Sequence, residues 1–277
     1  MTEFPVTERP SEISGAPRND TVAEFSVLGC GAWSPWFENW EGLVAAMSTG
    51  DLQEHASKGP AAAVIPGTER RRAPLPVKLA VEASMQACTT AGIDPQSLPS
   101  VFVSGLGDTQ LTDYMCKALA SDNKALSPTR FHNSVHNAAA GYWTISVGCE
   151  KASSSLAAFE ESISMALLEA AIQLEAEQAP VLLTFYDAPV AAILEPLLKN
   201  THAFALSMVL APGTQFRLST HSGDVEWPTL KLPGALSECY ATNPAGRSLL
   251  LAQLLTQTEG GARLPLSTGM TMELAIQ

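Results

Sequence analysis

The stretch PVLLTFY at residues 180–186 decides the fold class of this 277-residue chain. An uncharged run of apolar and β-prone residues follows a proline, which is typical of a strand that is buried on both faces. A second such run, FALSMVL, lies at residues 204–210. Strands of this kind belong to sheets that helices cover on both sides, so the two runs predict a layered α/β protein.

Strand and helix patterns alternate on the N-terminal side of these runs. FSVLG at residues 25–29 and SVFVS at residues 100–104 predict two further strands that lead into glycine turns. Apolar residues recur with helical period in four segments, which predict helices over residues 36–47, 76–91, 110–120 and 137–147. We expect the third of these helices to bury one clear face and the fourth to be buried.

The other segments give less regular patterns. Residues 51–75 are rich in Pro, Gly and Arg and predict an irregular surface connection. Residues 156–176 fit one long helix on propensity, although its start is uncertain. Toward the C-terminus the sequence predicts a β-prone segment at 215–220, a helix at 245–257 and a β-prone stretch near 264–274.

Charge and composition exclude several classes of partner. Sixteen Lys and Arg against 28 Asp and Glu give a formal net charge of −12. A surface that binds nucleic-acid phosphates or anionic lipids needs the opposite sign, so we expect neither nucleic acid nor membrane as a partner. Apolar runs such as MVLA at residues 208–211 fall far short of the roughly 20 residues of a membrane-spanning helix. Proteins and small molecules are the expected partners.

The cysteines and the N-terminus indicate a cytoplasmic protein. Five cysteines without a CxxC pair are typical of reduced, mostly buried thiols. The N-terminus has neither a basic region nor an apolar core, so it does not resemble a secretory signal. We expect residues 1–22 to form a flexible tail before a single domain at residues 23–277.

Composition and spacing reveal no convincing active site. The GLG at residues 105–107 lacks a third glycine and fits a strand-to-helix turn better than a dinucleotide site. His132 and His136 have the spacing of zinc ligands on a helix, but no Glu lies between them and a loop is favoured. The serines at 153–155 lack a GxSxG elbow, and Cys149 is better explained as a structural thiol because Glu150 disfavours a thiolate. No metal or cofactor is expected.

The segment SPTRFHNSVHNAAAG at residues 127–141 resembles β-ketoacyl synthases, in which a proline, a hydrophobic gate, an asparagine and Ala-Gly precede a buried helix. Other pieces follow in the same order. FSVLGCGAWSP at 25–35 resembles the opening strand and its Ser-Pro turn, and VFVSG at 101–105 resembles the second strand. Residues 181–187 resemble the strand after the nucleophile helix, and 204–210 the last strand of that half.

This resemblance covers residues 25 to about 211 and is strongest to short chain-length-factor-like proteins of bacterial aryl polyene pathways. Such a subunit pairs with a true ketosynthase. The resemblance implies a thiolase-like half, a layered α/β/α fold with a mixed sheet, truncated relative to a full ketosynthase. It also implies that residues 153–158 form a strand and that the following helix begins near Glu160, which overrides the local helix propensity.

Two departures from the family pattern bear on activity. Counted without gaps, the Thr-Ala-Cys that carries the ketosynthase nucleophile is replaced by Ala158, Phe159 and Glu160. A carboxylate cannot do the work of that thiolate, although a helix N-terminus stabilises either anion. Only 66 residues follow residue 211, and His221 is the one histidine among them, whereas a full ketosynthase has two catalytic histidines there.

The resemblance therefore implies a catalytically inactive subunit that forms a heterodimer with a β-ketoacyl-ACP synthase and helps to shape its acyl tunnel. An acyl carrier protein with its growing chain is a further candidate partner. The residues implied to line the tunnel or face the partner are Leu106, Gln110, Tyr114, Phe131, His132, Asn133 and Val135. For Tyr114 and Phe131, ordinary core packing is an equal alternative.

Two other functions stay open. Glu160 could act as a general base in a free-standing decarboxylase or hydrolase of acyl thioesters, although no His or Asn companion is evident. The chain could also be an interaction module without an acyl tunnel, in which case the interface would lack a pocket.

Overall fold

The structure, a computed structural model, describes residues 21–55 and 59–277. The strands are β1 (Thr21–Trp33), β2 (Ser100–Val103), β3 (Ser153–Leu156), β4 (Val181–Asp187), β5 (Phe204–Pro212), β6 (Phe216–Ser222), β7 (Gly261–Ser267) and β8 (Met270–Ile276). The helices are α1 (Trp40–Thr49), α2 (Gly67–Arg70), α3 (Leu75–Ala91), α4 (Thr109–Ala120), α5 (Pro128–His132), α6 (Ala138–Val147), α7 (Ser162–Glu177), α8 (Glu195–Leu198), α9 (Gly234–Thr242) and α10 (Leu249–Leu255). Short 3₁₀ helices lie at Pro95–Ser97, Phe159–Glu161 and Ala245–Ser248.

These strands form one mixed sheet in the order β3-β2-β4-β5-β1-β6-β8-β7. β3, β2 and β4 are parallel, and every later neighbour pair is antiparallel. β3 lies at one edge, and β2 is its one partner among the strands that the structure describes. The carboxyl ends of the three parallel strands therefore open on the same side of the sheet, where loops and helix starts converge.

Helices cover both faces of this sheet, as the sequence predicts. Alternate side chains of β4 point in opposite directions: Val181, Leu183 and Phe185 pack in a core with α7 and α10, whereas Leu182 and Tyr186 pack in a core with α3 and α6. Both cores are apolar, and β4 and β5 are buried almost throughout. The layered α/β arrangement is confirmed.

Helix α3 packs against β1 with its backbone close to the strand. A Cβ placed on Gly31 would lie 2.2 Å from the Ala83 carbonyl oxygen, and one on Gly29 would lie 2.6 Å from the Ala87 carbonyl oxygen. Side chains at these two strand positions would push the helix away from the sheet. The glycines that the sequence suggests as turn formers therefore serve as a packing surface inside a 13-residue strand.

Several predicted boundaries are confirmed by capping. α3 ends at Gly92, which has a left-handed φ of 67°. The side chain of Asp108 accepts a hydrogen bond from the Leu111 amide and caps α4 close to its predicted start. α1 begins at Trp40 rather than at residue 36 because Asn39 caps it and Ser34 pairs with Phe37 in an isolated bridge.

Two helices are less buried than the sequence predicts. On α4, Leu111 is buried but Leu119 is 53% exposed, so its apolar face is only partly covered. On α6, Trp143 is buried whereas Ile145 is 82% exposed. The expectation of a buried helix at 137–147 was therefore wrong. Apolar residues occur on every side of α6, but only one side packs against the core.

Tertiary contacts override local propensity at several places. Residues 156–176 are not one helix, since 153–156 pair with β2 as β3 and α7 starts at Ser162. The predicted helix at 245–257 divides into a 3₁₀ turn and α10, and the stretch near 264–274 is the β7–β8 hairpin. α9 was not predicted.

The N-terminal prediction is only partly tested. Thr21 and Val22 belong to β1, so the expected tail is too long by two residues. The rest of that tail, residues 1–20, lies outside the described residues, as do 56–58 of the irregular connection. That connection also contains the short helix α2. Within the described ranges, no helix has the length and apolar character needed to cross a membrane.

The contact between α3 and β1 gives a test of the fold. We expect Gly31→Ala to lower the free energy of unfolding by roughly 1–3 kcal/mol, because the added methyl group has no space beside Ala83. Gly141→Ala on α6 is the control, since among the described residues no atom outside its chain neighbours and its own helix backbone lies within 4 Å of the added methyl group. Chemical denaturation should show the control unchanged or slightly more stable. Equal stability of the two variants would refute the close packing.

Candidate functional site

The carboxylate of Asp187 lies at the end of β4 and joins three segments. Oδ1 accepts hydrogen bonds from the Ser104 hydroxyl at 2.6 Å and the Leu106 amide at 3.1 Å. Oδ2 accepts from the Gly105 amide at 3.2 Å and the Ala245 amide at 3.0 Å. The turn after β2 and the 3₁₀ helix at Ala245–Ser248 are therefore held against the same side chain.

Asp187 is fully buried, and burial raises the pKa of its carboxyl group to about 6. The four hydrogen bonds favour the charged form and oppose this rise. The carboxylate is thus a structural anchor at the centre of the site. Sequence analysis missed it, although an Asp that closes a buried strand is itself a signal, because an isolated buried charge is costly.

The turn between β3 and α7 is a strained strand-to-helix elbow beside this anchor. Phe159 has a φ of 48°, the left-handed region that a bulky residue adopts only at a cost of roughly 1 kcal/mol. A Cβ on Gly105 would lie 3.0 Å from the Phe159 carbonyl oxygen and 2.5 Å from Pro244 Cβ. The β2 turn, the elbow and the segment before Ala245 are therefore in direct contact.

Glu160, the residue at the expected nucleophile position, lies in the 3₁₀ turn of this elbow. Its side chain is exposed and accepts no hydrogen bond from any residue that the structure describes. α7 begins two residues later than expected, at Ser162, whose hydroxyl accepts a hydrogen bond from the Ala158 amide at 3.0 Å. The side chain of the strained residue, Phe159, is 46% exposed.

A cleft of about 470 Å³ runs beside the elbow. The described residues that line it are Phe159, Glu160, Leu197, Leu198, Lys199, Ala241, Thr242, Asn243, Pro244 and Arg247. None of them is a cysteine or a histidine. Among these residues there is thus neither a cysteine thiol to act as a nucleophile nor an imidazole to activate one.

A cavity of about 230 Å³ with a mainly apolar lining that also includes Asp108, Thr112 and Ser134, called here the α4 cavity, lies on the other side of the β2 turn. Its lining includes the apolar side chains of Val77, Leu106, Leu111, Met115, Val135, Ala139 and Tyr186. Asn133 and His136 also reach it. Three of the expected tunnel or gate residues, Leu106, Asn133 and Val135, are thus brought together around one cavity.

Gln110 and Tyr114 lie outside this cavity. They line a separate groove on the outer side of α4. The Gln110 side chain donates a hydrogen bond to the Val190 carbonyl at 3.1 Å, and the Tyr114 hydroxyl accepts one from the Ser127 amide at 3.2 Å. Their expected place on the tunnel wall has no support in the geometry and stays a prediction.

The remaining gate residues lie on the surface around α6. Phe131 is 61% exposed. His132 lines an apolar groove of about 400 Å³ together with Val135, Gly141, Tyr142 and Ile145. We call the exposed side chains of Val135 and Ile145, together with the half-buried Tyr142 between them, the α6 face. The α6 face therefore combines a groove with uncovered apolar side chains.

Asn133 has a positioning role that the sequence did not reveal. Its side chain is buried, donates a hydrogen bond to the Arg72 carbonyl at 3.2 Å and accepts one from the Tyr142 hydroxyl at 3.2 Å. These bonds join the irregular connection, α5 and α6.

The other chemical motifs have structural explanations. His136 bonds to the Ser104 carbonyl at 3.2 Å, and the described residues contain no cluster of His, Cys, Asp and Glu that could hold a metal ion. Cys149 is buried and its thiol donates to the Leu98 carbonyl, as expected of a structural cysteine. Gly107 has a φ of 64° and forms the predicted turn. Cys116 is the exposed exception among the five unpaired thiols.

Comparison with known families identifies this arrangement. Residues 43–264 match the family model described as the N-terminal domain of beta-ketoacyl synthase. The chain belongs to the β-ketoacyl synthase N-terminal domain family. This confirms the resemblance that the segment at 127–141 suggests. A search of curated proteins found no match.

Solved structures share the fold of this ketoacyl synthase domain. One is a chain of the ketosynthase (ApeO) in complex with its chain length factor (ApeC) from Xenorhabdus doucetiae, with 18% identity, a TM-score of 0.69 and coverage of 91% of this chain and 99% of that chain. Another is the ishigamide ketosynthase/chain length factor, with 12% identity, a TM-score of 0.66 and coverage of 92% and 99%.

A third is the complex of a type II PKS acyl-carrier protein with its ketosynthase bound to the hexaketide, with 14% identity, a TM-score of 0.54 and coverage of 73% of this chain and 70% of that chain. The thiolase-like ketosynthase fold is therefore confirmed.

The anchor Asp187 gives a pH-dependent prediction for this domain. Its pKa is raised in the folded state, so between its ordinary value near 3.8 and about 6 the folded protein binds more protons than the unfolded chain. The stability due to protonated Asp187 is present at low pH and is lost as pH rises through about 6. Relative to that of the Asp187→Asn variant, the free energy of unfolding of the wild type should fall by roughly 1 kcal/mol between about pH 5 and about pH 7.

Urea denaturation at several pH values measures this difference. Asp51→Asn removes an exposed carboxylate and serves as the control. If the free energies of unfolding of the wild type and of Asp187→Asn differ by the same amount at every pH in this range, Asp187 does not titrate there.

Proposed function

We propose that this chain is a non-catalytic chain-length-factor subunit that forms a heterodimer with a β-ketoacyl-ACP synthase and helps to shape its acyl tunnel. The observation that carries this proposal is the elbow, which keeps its strained geometry but has Phe159 and Glu160 in place of a thiol. The pathway we propose is polyketide biosynthesis of the aryl polyene type, in the cytoplasm. No cofactor is required for this role.

The residues at the elbow support the proposal that this chain does not catalyse condensation. A condensing enzyme must form a covalent acyl intermediate, which requires a nucleophile and a base to activate it. The exposed carboxylate of Glu160 has no hydrogen-bond partner among the described residues, and the adjacent cleft contains neither cysteine nor histidine. The scaffold of a ketosynthase half is therefore present without its reacting group.

The α6 face supports a partner subunit. Exposed apolar side chains of this size next to a groove are unusual on a protein that remains a monomer. β3 contacts α6, and no strand of the described residues pairs with its outer edge, which can therefore form hydrogen bonds with another strand. The relatives from Xenorhabdus doucetiae and the ishigamide system are both ketosynthases with a chain length factor. A ketosynthase covering this face would bury both features.

The α4 cavity supports a role in the tunnel. Val135 and Ala138 line both this cavity and the groove on the α6 face, so the two spaces are neighbours. An acyl chain that grows in the partner and crosses the α6 face would meet an apolar cavity of limited volume. Because protein interiors are close-packed, the side chains that bound this cavity would limit the length of the product.

The alternative enzyme function has weaker support. A general base must lie within hydrogen-bond reach of the proton that it removes and is tuned by its surroundings. Glu160 is exposed to solvent, and among the residues described no His or Asn side chain forms a hydrogen bond with it. Asn243 lines the same cleft, but its side chain bonds to the Gly246 amide and the His202 carbonyl. The third possibility, an interaction module without a pocket, does not account for the α4 cavity.

The heterodimer can be tested with two exposed isoleucines. We expect Ile145→Asp to weaken the complex with the partner ketosynthase by at least tenfold in Kd, because a charge would be buried in the apolar interface. Ile172→Asp on α7 is the control, since Ile172 is 53% exposed but lies on the other face of the sheet. Size-exclusion chromatography with multi-angle light scattering measures the complex.

The control variant should keep wild-type affinity for the ketosynthase. A wild-type chain that stays monomeric beside its ketosynthase would contradict the proposal. Equal effects of Ile145→Asp and Ile172→Asp would show that the α6 face is not the interface.

Product length tests the tunnel assignment. In the reconstituted heterodimer, Leu106→Ala should lengthen the polyene product and Leu106→Phe should shorten it, because this side chain bounds the α4 cavity. Leu197→Ala is the control, since Leu197 lines the cleft beside the elbow instead. Mass spectrometry of the released chains gives the length distribution. If Leu197→Ala changes the product length and Leu106→Ala does not, the acyl chain occupies the elbow cleft and not the α4 cavity.

A further inference from the structure

Tyr186 places a phenol group on the buried wall of the α4 cavity. It precedes Asp187 at the end of β4 and is only 3% exposed. Its ring packs in the core with α3 and α6, where it meets the Phe102 ring edge-on with 6.4 Å between the centroids. The same residue lines the α4 cavity. The ring is therefore held by core packing on one side and borders open space on another.

The hydroxyl group of Tyr186 has no hydrogen-bond partner among the residues that the structure describes. The three other tyrosines all use their hydroxyl group within the chain: Tyr114, Tyr142 and Tyr240. The Tyr186 oxygen is also not one of the unpartnered polar atoms that protein encloses completely. It therefore opens toward the space that its residue lines, which is the α4 cavity.

The other polar side chains on the cavity wall are supplied with partners. Three of them are exposed to solvent: Thr112, Ser134 and His136. Asp108 caps α4. Asn133 is buried, but its amide nitrogen donates and its amide oxygen accepts a hydrogen bond within the chain. Tyr186 is thus the one buried polar side chain of the described lining that is left without a partner.

The phenol of Tyr186 is a permanent hydrogen-bond donor. Burial raises the pKa of its hydroxyl group, and the negative charge of the adjacent Asp187 raises it further. The group therefore stays protonated at any pH at which the protein is folded. A buried donor without a partner is unfavourable and uncommon in native proteins, so a ligand that brings an acceptor to this point gains from it.

The surroundings of Tyr186 are apolar on the side from which an acyl chain would arrive. Val135 and Ala138 line both the groove on the α6 face and the α4 cavity, whereas Val77 and Ala139 are buried farther in. A chain that enters past Val135 would reach Tyr186 with its leading end. A single polar group in an apolar pocket fixes the orientation and chemistry of what binds there.

We propose that Tyr186 forms a hydrogen-bonding subsite that selects acyl chains with a hydroxyl group at their leading end over chains that end in a methyl group. This inference rests on the proposed function, because it takes the α4 cavity as the far end of the partner's acyl tunnel. The phenol donates a hydrogen bond to the oxygen of the incoming hydroxyl group. A methyl end leaves the phenol unpaired, so the cavity distinguishes the chemistry of the chain end as well as its length.

Competition between two primers tests the subsite. The heterodimer is offered equal amounts of two N-acetylcysteamine thioesters of the same length, one with a terminal hydroxyl group and one with a terminal methyl group. Mass spectrometry measures the ratio of their elongated products. We expect the wild type to favour the hydroxyl-ended primer by about fivefold or more, and Tyr186→Phe to elongate the two equally.

Tyr240→Phe is the matched control, since it also removes one hydroxyl group from a buried ring. That hydroxyl group donates to the Pro228 carbonyl, and its ring packs in the core on the other face of the sheet. The control should keep the wild-type ratio. Tyr186→Phe should fold normally, because the oxygen that it removes has no partner within the described chain.

The same two thioesters are also titrated into this chain alone, with Kd measured by NMR. Tighter binding of the hydroxyl-ended compound by the wild type and by Tyr240→Phe, but not by Tyr186→Phe, supports the subsite in either preparation. A wild type that treats the two compounds equally in both preparations, or a preference that survives in Tyr186→Phe, overturns it.

Two measurements keep this inference separate from the proposed function. Light scattering reports whether the subunits pair, and the Leu106 variants report whether the acyl chain enters the α4 cavity. Failure of either contradicts the proposed function. A heterodimer that pairs and responds to the Leu106 variants, but shows no preference for the hydroxyl-ended primer, contradicts the subsite alone.

Discussion

Four hydrogen bonds to one buried carboxylate hold the functional end of this molecule together. Asp187 receives them from the turn after β2 and from the 3₁₀ helix at Ala245–Ser248, two segments far apart in the sequence. Removing the acceptor would leave several buried donors without partners, which costs more than the bonds themselves contribute. Because Gly105 also contacts the Phe159 carbonyl, the elbow and the wall of the α4 cavity both depend on this anchor.

The site combines a strained elbow with an exposed carboxylate, Glu160, and the described residues that line the adjacent cleft include no cysteine or histidine. The strained φ of Phe159 is a cost that a turn bears only where the surrounding packing enforces it, and Gly105 and Pro244 provide that packing. A scaffold of this kind can still support a neighbour. The α6 face provides apolar surface, and the edge strand β3 provides backbone hydrogen-bonding groups. The α4 cavity adjoins the groove on the α6 face. A subunit that shapes a partner's tunnel needs these three features and no nucleophile.

The sequence predicted those parts of the fold in which local pattern and tertiary context agree. β4 and β5 are buried on both faces and read as continuous apolar runs, and α3 has both its period and its terminal glycine. The division of residues 153–177 into β3 and α7 followed only from the family resemblance, because pairing with β2 overrides helix propensity there.

Among the site residues, Leu106 was expected on the tunnel wall and Asn133 and Val135 in the gate, and all three line the α4 cavity. Their roles stay predictions. Gln110 and Tyr114 do not line this cavity. They lie on the outer side of α4, and the sequence alone does not predict which side of this helix packs against the cavity. An Asp at the end of a buried strand is a local signal for Asp187, but its hydrogen-bond donors and the contact of Pro244 with Gly105 come from distant segments that no local pattern reveals.

Intact-protein mass spectrometry of the acylated heterodimer tests the central claim most directly. The complex is incubated with an acyl-carrier protein substrate and without malonyl groups, so that any covalent acyl intermediate accumulates. The expected result is one acyl adduct on the ketosynthase subunit and an unchanged mass for this chain. An acyl adduct on this chain that survives denaturation and is lost in the Glu160→Ala variant would contradict the assignment of a non-catalytic subunit.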